Sequence, residues 1–234
     1  MAANRPQRTT RPLFGALLAA LSVLAAVIGV GLAVTALRPD PGVPEIQGTY
    51  LEDGRPIADF VLEDQTGERF SPTDLHGKWT VLTFGHTECP TTWENLALLH
   101  SAREQLRQTQ LAHRLQVALV SVNPDDGAEE LADYVGRYPE AFHGVSGPVE
   151  RVRELAGSVG VRYVEPNGGN VEDGFHIQPE GALLVINPHG KLVALLMPPH
   201  HPELLARDLF RLMERERGGF LRNLLESVRE RVRE

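Results

Sequence analysis

The sequence predicts an α/β fold, a thioredoxin-like three-layer α/β/α sandwich preceded by a single N-terminal transmembrane helix. Three observations predict it. Two apolar runs of buried-strand length, Thr80–Gly85 (TVLTFG) and Leu115–Val122 (LQVALVSV), are joined through a helical stretch. A hairpin pattern and a further helix follow toward the C-terminus. An uncharged run of 26 residues, 12 through 37, stands near the N-terminus.

The N-terminal run comes first. Residues 1–38 hold four arginines (Arg5, Arg8, Arg11 and Arg38) and no acid. The run between Arg11 and Arg38 is nearly all Leu, Ala, Val, Ile and Gly. At about 1.5 Å per residue it can cross a hydrocarbon core of roughly 30 Å. A cleavable signal peptide has a shorter apolar region of about 7–15 residues, so an uncleaved anchor through residues 13–37 is the expectation. Arginines preceding the span place the N-terminus in the cytoplasm. The body is then expected in the periplasm, held to a bacterial inner membrane by one span.

Residues 39–48 read as a linker, with Pro39, Pro41 and Pro44. Ala58–Leu62 reads as a strand, followed by a turn over Glu63–Gly67. After the Thr80–Gly85 strand, Thr91–Gln108 reads as a helix with Trp93, Leu96, Leu99, Ala102 and Leu106 at its apolar positions. Ala128–Tyr138 and Val149–Val159 read as two more helices. Ala182–Asn187 and Lys191–Leu196 flank Pro188-His189-Gly190 as a hairpin. Glu203–Glu216 is a helix behind Pro202.

Two buried strands joined through a helix imply a right-handed βαβ crossover. The hairpin and its covering helix then complete the sandwich in thioredoxin-like order. This domain is expected to cover 49–217. Residues 218–234 read as an amphipathic helical segment, with Phe220, Leu221, Leu224, Leu225, Val228 and Val232 on one side of the wheel.

Composition narrows the function. The chain has one cysteine, so it cannot form an internal disulfide, a four-cysteine zinc site or an iron–sulfur cluster. An intramolecular dithiol–disulfide cycle is excluded with them, and the chain is not expected to be an enzyme of that kind. The formal charge is −8, and the part beyond residue 38 holds 19 basic and 31 acidic residues, or −12. That balance argues against nucleic acid as a partner.

Cys89 follows a buried strand and opens a helix whose first turn accepts Pro90. The positive end of a helix dipole favours thiolate there. The plainer reading is an inert, half-buried cysteine.

These stretches carry a resemblance. From about Gly48 to about Met213 the chain resembles the Sco/SenC family of copper-handling thioredoxin-fold proteins. The matching stretches are FVLEDQTGERFSPTDLHGKWTVLTFGHTECP, PTTWENLALL, VALVSVNPDD and VINPHGKLVALLMPPH. The N-terminal anchor matches as well. The resemblance implies a thioredoxin fold facing the periplasm, copper bound by two cysteines in C-x-x-x-C with a distant histidine, and a role in assembling the copper centre of cytochrome oxidase. It further implies an oxidase subunit or another copper carrier as partner.

The chain departs from the family where copper would bind. The family reads F-G-x-T-x-C-P-x-x-C-P-T-T, whereas this chain reads Phe84-Gly85-His86-Thr87-Glu88-Cys89-Pro90-Thr91-Thr92. Cys89 can match the first family cysteine, with Trp93 at the second. It can instead match the second, with four residues missing, which keeps Asn95–Leu99 in register. One thiolate is absent either way. Counting back from VINP places Pro179 at the family's histidine position, with His176 three residues upstream. His86, Cys89 and His176 together would offer two imidazoles and a thiolate, a set that suits copper. His86 as a polar cap and His176 as a loop residue are the structural alternatives. Adjacent His200 and His201 read as an exposed turn. Asp125, Asp126, Glu129 and Glu130 read as carboxylates favouring a helix start.

Three functions follow as expectations. The first is a copper chaperone or sensor with a degenerate thiol site. The second is a non-catalytic assembly protein of the same fold without metal. The third is a one-cysteine thiol peroxidase. That last class carries P-x-x-x-T-x-x-C, but Thr87 stands two residues before Cys89 rather than three, and Val81-Leu82 occupy the region of the proline.

Overall fold

The computed structural model describes residues 22–26, 28–29, 31, 43–109, 111–164 and 176–231. The chain divides into two units, 1–42 and 43–234. In the first, the described residues are helical and exposed. Among the described residues no helix is long and apolar enough to cross a membrane. The expected span, 13–37, falls largely outside them.

The second unit is built on one large sheet. Its strands are β1 (Gly48–Pro56), β2 (Leu62–Asp64), β3 (Arg69–Phe70), β4 (Trp79–Gly85), β5 (Leu115–Ser121), β6 (Phe142–Ser146), β9 (Leu183–Ile186) and β10 (Lys191–Leu196). A small second sheet pairs β7 (Arg162–Val164) with β8 (His176–Gln178). The eight strands of the large sheet lie in the order β1-β10-β9-β4-β5-β6-β2-β3. β4, β5 and β6 run parallel, and β9 closes antiparallel on β4.

The α-helices described in this unit are α1 (Pro90–Leu106), α2 (Ala128–Val135), α3 (Val149–Ser158) and α4 (Pro202–Arg231). Alternation in the buried strands sorts the core into two halves. Trp79 and Val81 of β4, Leu115, Val117 and Leu119 of β5, and Leu183 and Val185 of β9 pack with α1, α2 and α4. Leu82 and Phe84, Ala118 and Val120, and Leu184 and Ile186 face the other way, onto α3 with Val152 and Leu155. A fully buried leucine contributes about 1.5–3 kcal/mol, so these alternating rows fix which face each helix covers. The three-layer α/β/α arrangement of thioredoxin-like order is the one observed.

Several elements differ from expectation. Ala58–Leu62 is not a strand: pairing begins only at Leu62, opposite Phe70. Phe60 and Leu62 are buried nonetheless, so the alternation reflects burial of an unpaired segment. Trp93, placed by its spacing on the apolar face of α1, is exposed instead. β1 and β6 are additional to the expected strands. β1 is a sheet edge with a register shift between Tyr50 and Arg55, which blurs its period.

The helix expected to end near Glu216 continues without a break through Gly218 and Gly219 to Arg231. Its first half places Leu205, Leu209, Leu212 and Met213 in the core shared with α1. The apolar side expected of Phe220 to Val232 lies outside the described side chains. The entering chain is tied to α4 where the Gln47 N–H donates to Asp208 Oδ2 at 2.7 Å.

Candidate metal-binding site

Cys89 lies where β4 ends and α1 begins. It is the N-cap residue of α1, in extended conformation (φ −83°, ψ 123°), with Pro90 in the first turn. Its backbone carbonyl accepts from the N–H groups of Thr92 and Trp93, and its side chain makes no capping bond. The thiol is free and half-buried.

Two contacts hold this turn. Thr92, buried in the first turn of α1, accepts the His86 N–H on Oγ1 at 3.1 Å. Gly85 makes that approach possible, because a side chain there would collide with Thr92. On the other side Asp126, 4% exposed, grips the turn. Its carboxylate accepts the Thr87 N–H at 2.9 Å and the Thr87 hydroxyl at 2.8 Å. It also accepts the Ser121 hydroxyl at 2.6 Å and the Asn123 amide at 3.3 Å. The helix-start role expected of Asp126 is therefore corrected. Gly127 is the N-cap of α2, without a side-chain bond, and the Asp126 carboxylate turns toward the β4–α1 turn instead.

The pocket above β4 is lined by Phe84, His86, Cys89, Thr91, Asn95 and Glu180, among others. His86 and Cys89 thus share a wall. His86 Nδ1 is buried and has no hydrogen-bond partner, which leaves a nitrogen donor uncommitted in the thiol's pocket. The backbone of His176 lies in β8, opposite Val164, and its side chain is outside the described residues. Among the described residues no three His, Cys, Asp or Glu side chains form a group able to hold a metal.

Among the described residues Glu180, which no motif singles out, reaches the thiol. Its Oε1 lies 3.9 Å from Cys89 Sγ and accepts the Thr91 hydroxyl at 2.8 Å. The following Gly181, at φ +75°, presents its carbonyl to Asn95 Nδ2 at 3.3 Å and to His200 Nε2 at 2.8 Å. His200 is half-buried against this loop rather than part of an exposed turn; His201 is exposed. A carbonyl can only accept, so His200 carries its proton on Nε2. On α2, burial, with Tyr138 and Cys89 adding to it, pushes the pKa of the Tyr134 phenol up to about 12.

Known proteins resemble this chain over a span that contains the turn. The SCO1/SenC family model matches residues 49–214. A Stutzerimonas stutzeri protein named for copper binding is 29% identical over 168 residues, covering 70% of this chain and 79% of that protein. The mitochondrial SCO2 homolog of Danio rerio is 30% identical over 155 residues, 63% of this chain and 55% of the relative. This chain therefore spans about half of that relative's length. Among solved structures, apo Sco1 from Thermus thermophilus superposes with a TM-score of 0.57 at 28% identity, covering 74% of this chain and 98% of that one. Copper-bound yeast Sco1 gives 0.61 at 19% identity, over 68% and 89% of the two chains, and shares the fold. The matched span takes in nearly all of the sheet, the Cys89 turn and the first half of α4, and the chain belongs to the SCO1/SenC family.

Proposed function

We propose that this protein is a membrane-anchored, Sco-like copper chaperone or sensor acting in cytochrome c oxidase assembly, with a degenerate thiol site. The observation that carries the reading is the Cys89 thiol at the start of α1, sharing a pocket wall with the unpartnered His86 Nδ1. A thiolate and an imidazole are donors that suit copper. Cys89, His86 and His176 are the proposed ligands, and copper is the cargo they would carry. The chain's own work is to hold the sulfur at the end of a rigid strand and keep a nitrogen donor free in the same pocket.

The anchor reading adds a location. Residues 13–37 would fix the protein in a bacterial inner membrane, with the soluble domain in the periplasm. The partner would be an oxidase subunit or another copper carrier. Family membership and the Stutzerimonas stutzeri relative named for copper binding support this reading.

A second reading is favoured by one observation. Trp93, one turn into α1 from Cys89, is 55% exposed, which suits a contact surface. On that reading the domain assists assembly without metal. The two are separated by deleting the protein and measuring oxidase copper content, then restoring a Cys89→Ala copy. Failure of that copy to restore copper supports chemistry at the thiol. Full restoration overturns the copper reading in favour of contact.

A further inference from the structure

We infer that the last turns of α4 are a membrane-surface helix that binds an anionic bilayer. The inference goes beyond the copper reading, and one of its supports rests on the anchor reading. α4 runs unbroken over Pro202–Arg231, and its last described core residue is Met213. Glu216 then meets the β9–β10 turn, where its Oε1 accepts from Asn187 Nδ2 at 3.3 Å and lies 3.3 Å from His189 Nε2. Two residues on, Gly218 is exposed, and a side chain built there would meet nothing within 4 Å. Residues 217–231 add about 22 Å of helix past this turn.

The register of the extension does not repeat that of the core row. At about 3.6 residues per turn, Phe220, Leu221, Leu224, Leu225 and Val228 fall on one arc of the helix. Its centre lies about 100° from the row of Leu205, Leu209, Leu212 and Met213 that packs into the core. Phe210 falls on the same arc, and it is 37% exposed.

Charge selects the occupant. Residues 217–234 hold five arginines and three glutamates, whereas residues 39–216 hold 14 basic and 28 acidic residues. An anionic surface repels the rest of the body and attracts this segment. A helix with an apolar arc and arginines beside it suits the headgroup boundary of a bilayer. The entering chain arrives from the same end of α4. The Gln47 N–H donates to Asp208 and the Glu45 carbonyl accepts from Arg211, so this stretch runs against α4, coming from the Glu216 end. With 13–37 as the anchor, residues 38–44 allow at most about 25 Å between the bilayer and Glu45.

The test reconstitutes the full chain in detergent, in phosphatidylcholine vesicles, and in vesicles of phosphatidylcholine mixed with phosphatidylglycerol. Amide hydrogen exchange is read over 217–231, with α1 as the control for folding. Exchange is expected to slow about tenfold or more in the anionic vesicles relative to the other two. The double variant Arg222→Glu/Arg229→Glu should lose that difference while α1 stays protected. Fast exchange in all three, or equal protection in all three, overturns the inference. Equal protection that grows with protein concentration assigns the arc to a second copy, and without that growth to the chain's own domain. Flotation with the phosphatidylcholine vesicles reads the anchor separately. Its failure overturns the anchor reading alone if the anionic protection persists.

Discussion

Asp126 holds Thr87 through two hydrogen bonds, one from its backbone N–H and one from its hydroxyl, across 39 positions of sequence. The pair staples the loop after β5 to the turn that carries Cys89. The carboxylate is buried and also serves Ser121 and Asn123. Asp126→Ala would leave two hydroxyls and a backbone N–H without their acceptor. We expect a loss of about 2–4 kcal/mol, read from the urea midpoint. Thr87→Val should cost about 1–2 kcal/mol, and Thr87→Ser clearly less.

Gly85 probes the same turn from the strand side. A Cβ at this position would meet the Thr92 side chain, whose Oγ1 accepts the His86 N–H. Gly85→Ala should destabilise by about 1–3 kcal/mol through overpacking. A denaturation curve matching wild type would show that the turn has room to relax.

His143 supplies a pH dependence. Burial, with Lys78 adding to it, lowers its pKa, and Asp64 and Asp74 act in the opposite direction. The unfolded chain therefore binds this proton more readily than the folded one. Stability from this group is fully present above the ordinary histidine value, about 6.5, and is lost as pH falls toward the lowered folded value. His143→Gln should flatten the drop in unfolding midpoint between about pH 7.5 and 5.5. An unchanged drop would assign it to other groups.

The fold is legible in the sequence where burial is complete. β4 and β5 are buried at every position, so their apolar runs announce them. β1 stays hidden because it is a half-exposed edge strand containing Asp53 and Gly54. β6 stays hidden because five residues with a central glycine carry too little pattern. Of the site, Cys89 is legible from strand, sulfur and proline in succession. Glu180 is not, since it meets the thiol across 91 positions. Asp126 reads as an acid near a helix start, and only the fold shows where its carboxylate points.

Whether Cys89 anchors copper is decided by a metal titration. The full chain and its Cys89→Ala form are each titrated with Cu(I) and Cu(II), and bound copper per chain is measured after removal of free ion. Copper retained by wild type and lost from Cys89→Ala is the expected result. Equal retention by both, or none by either, would refute a thiol-anchored site.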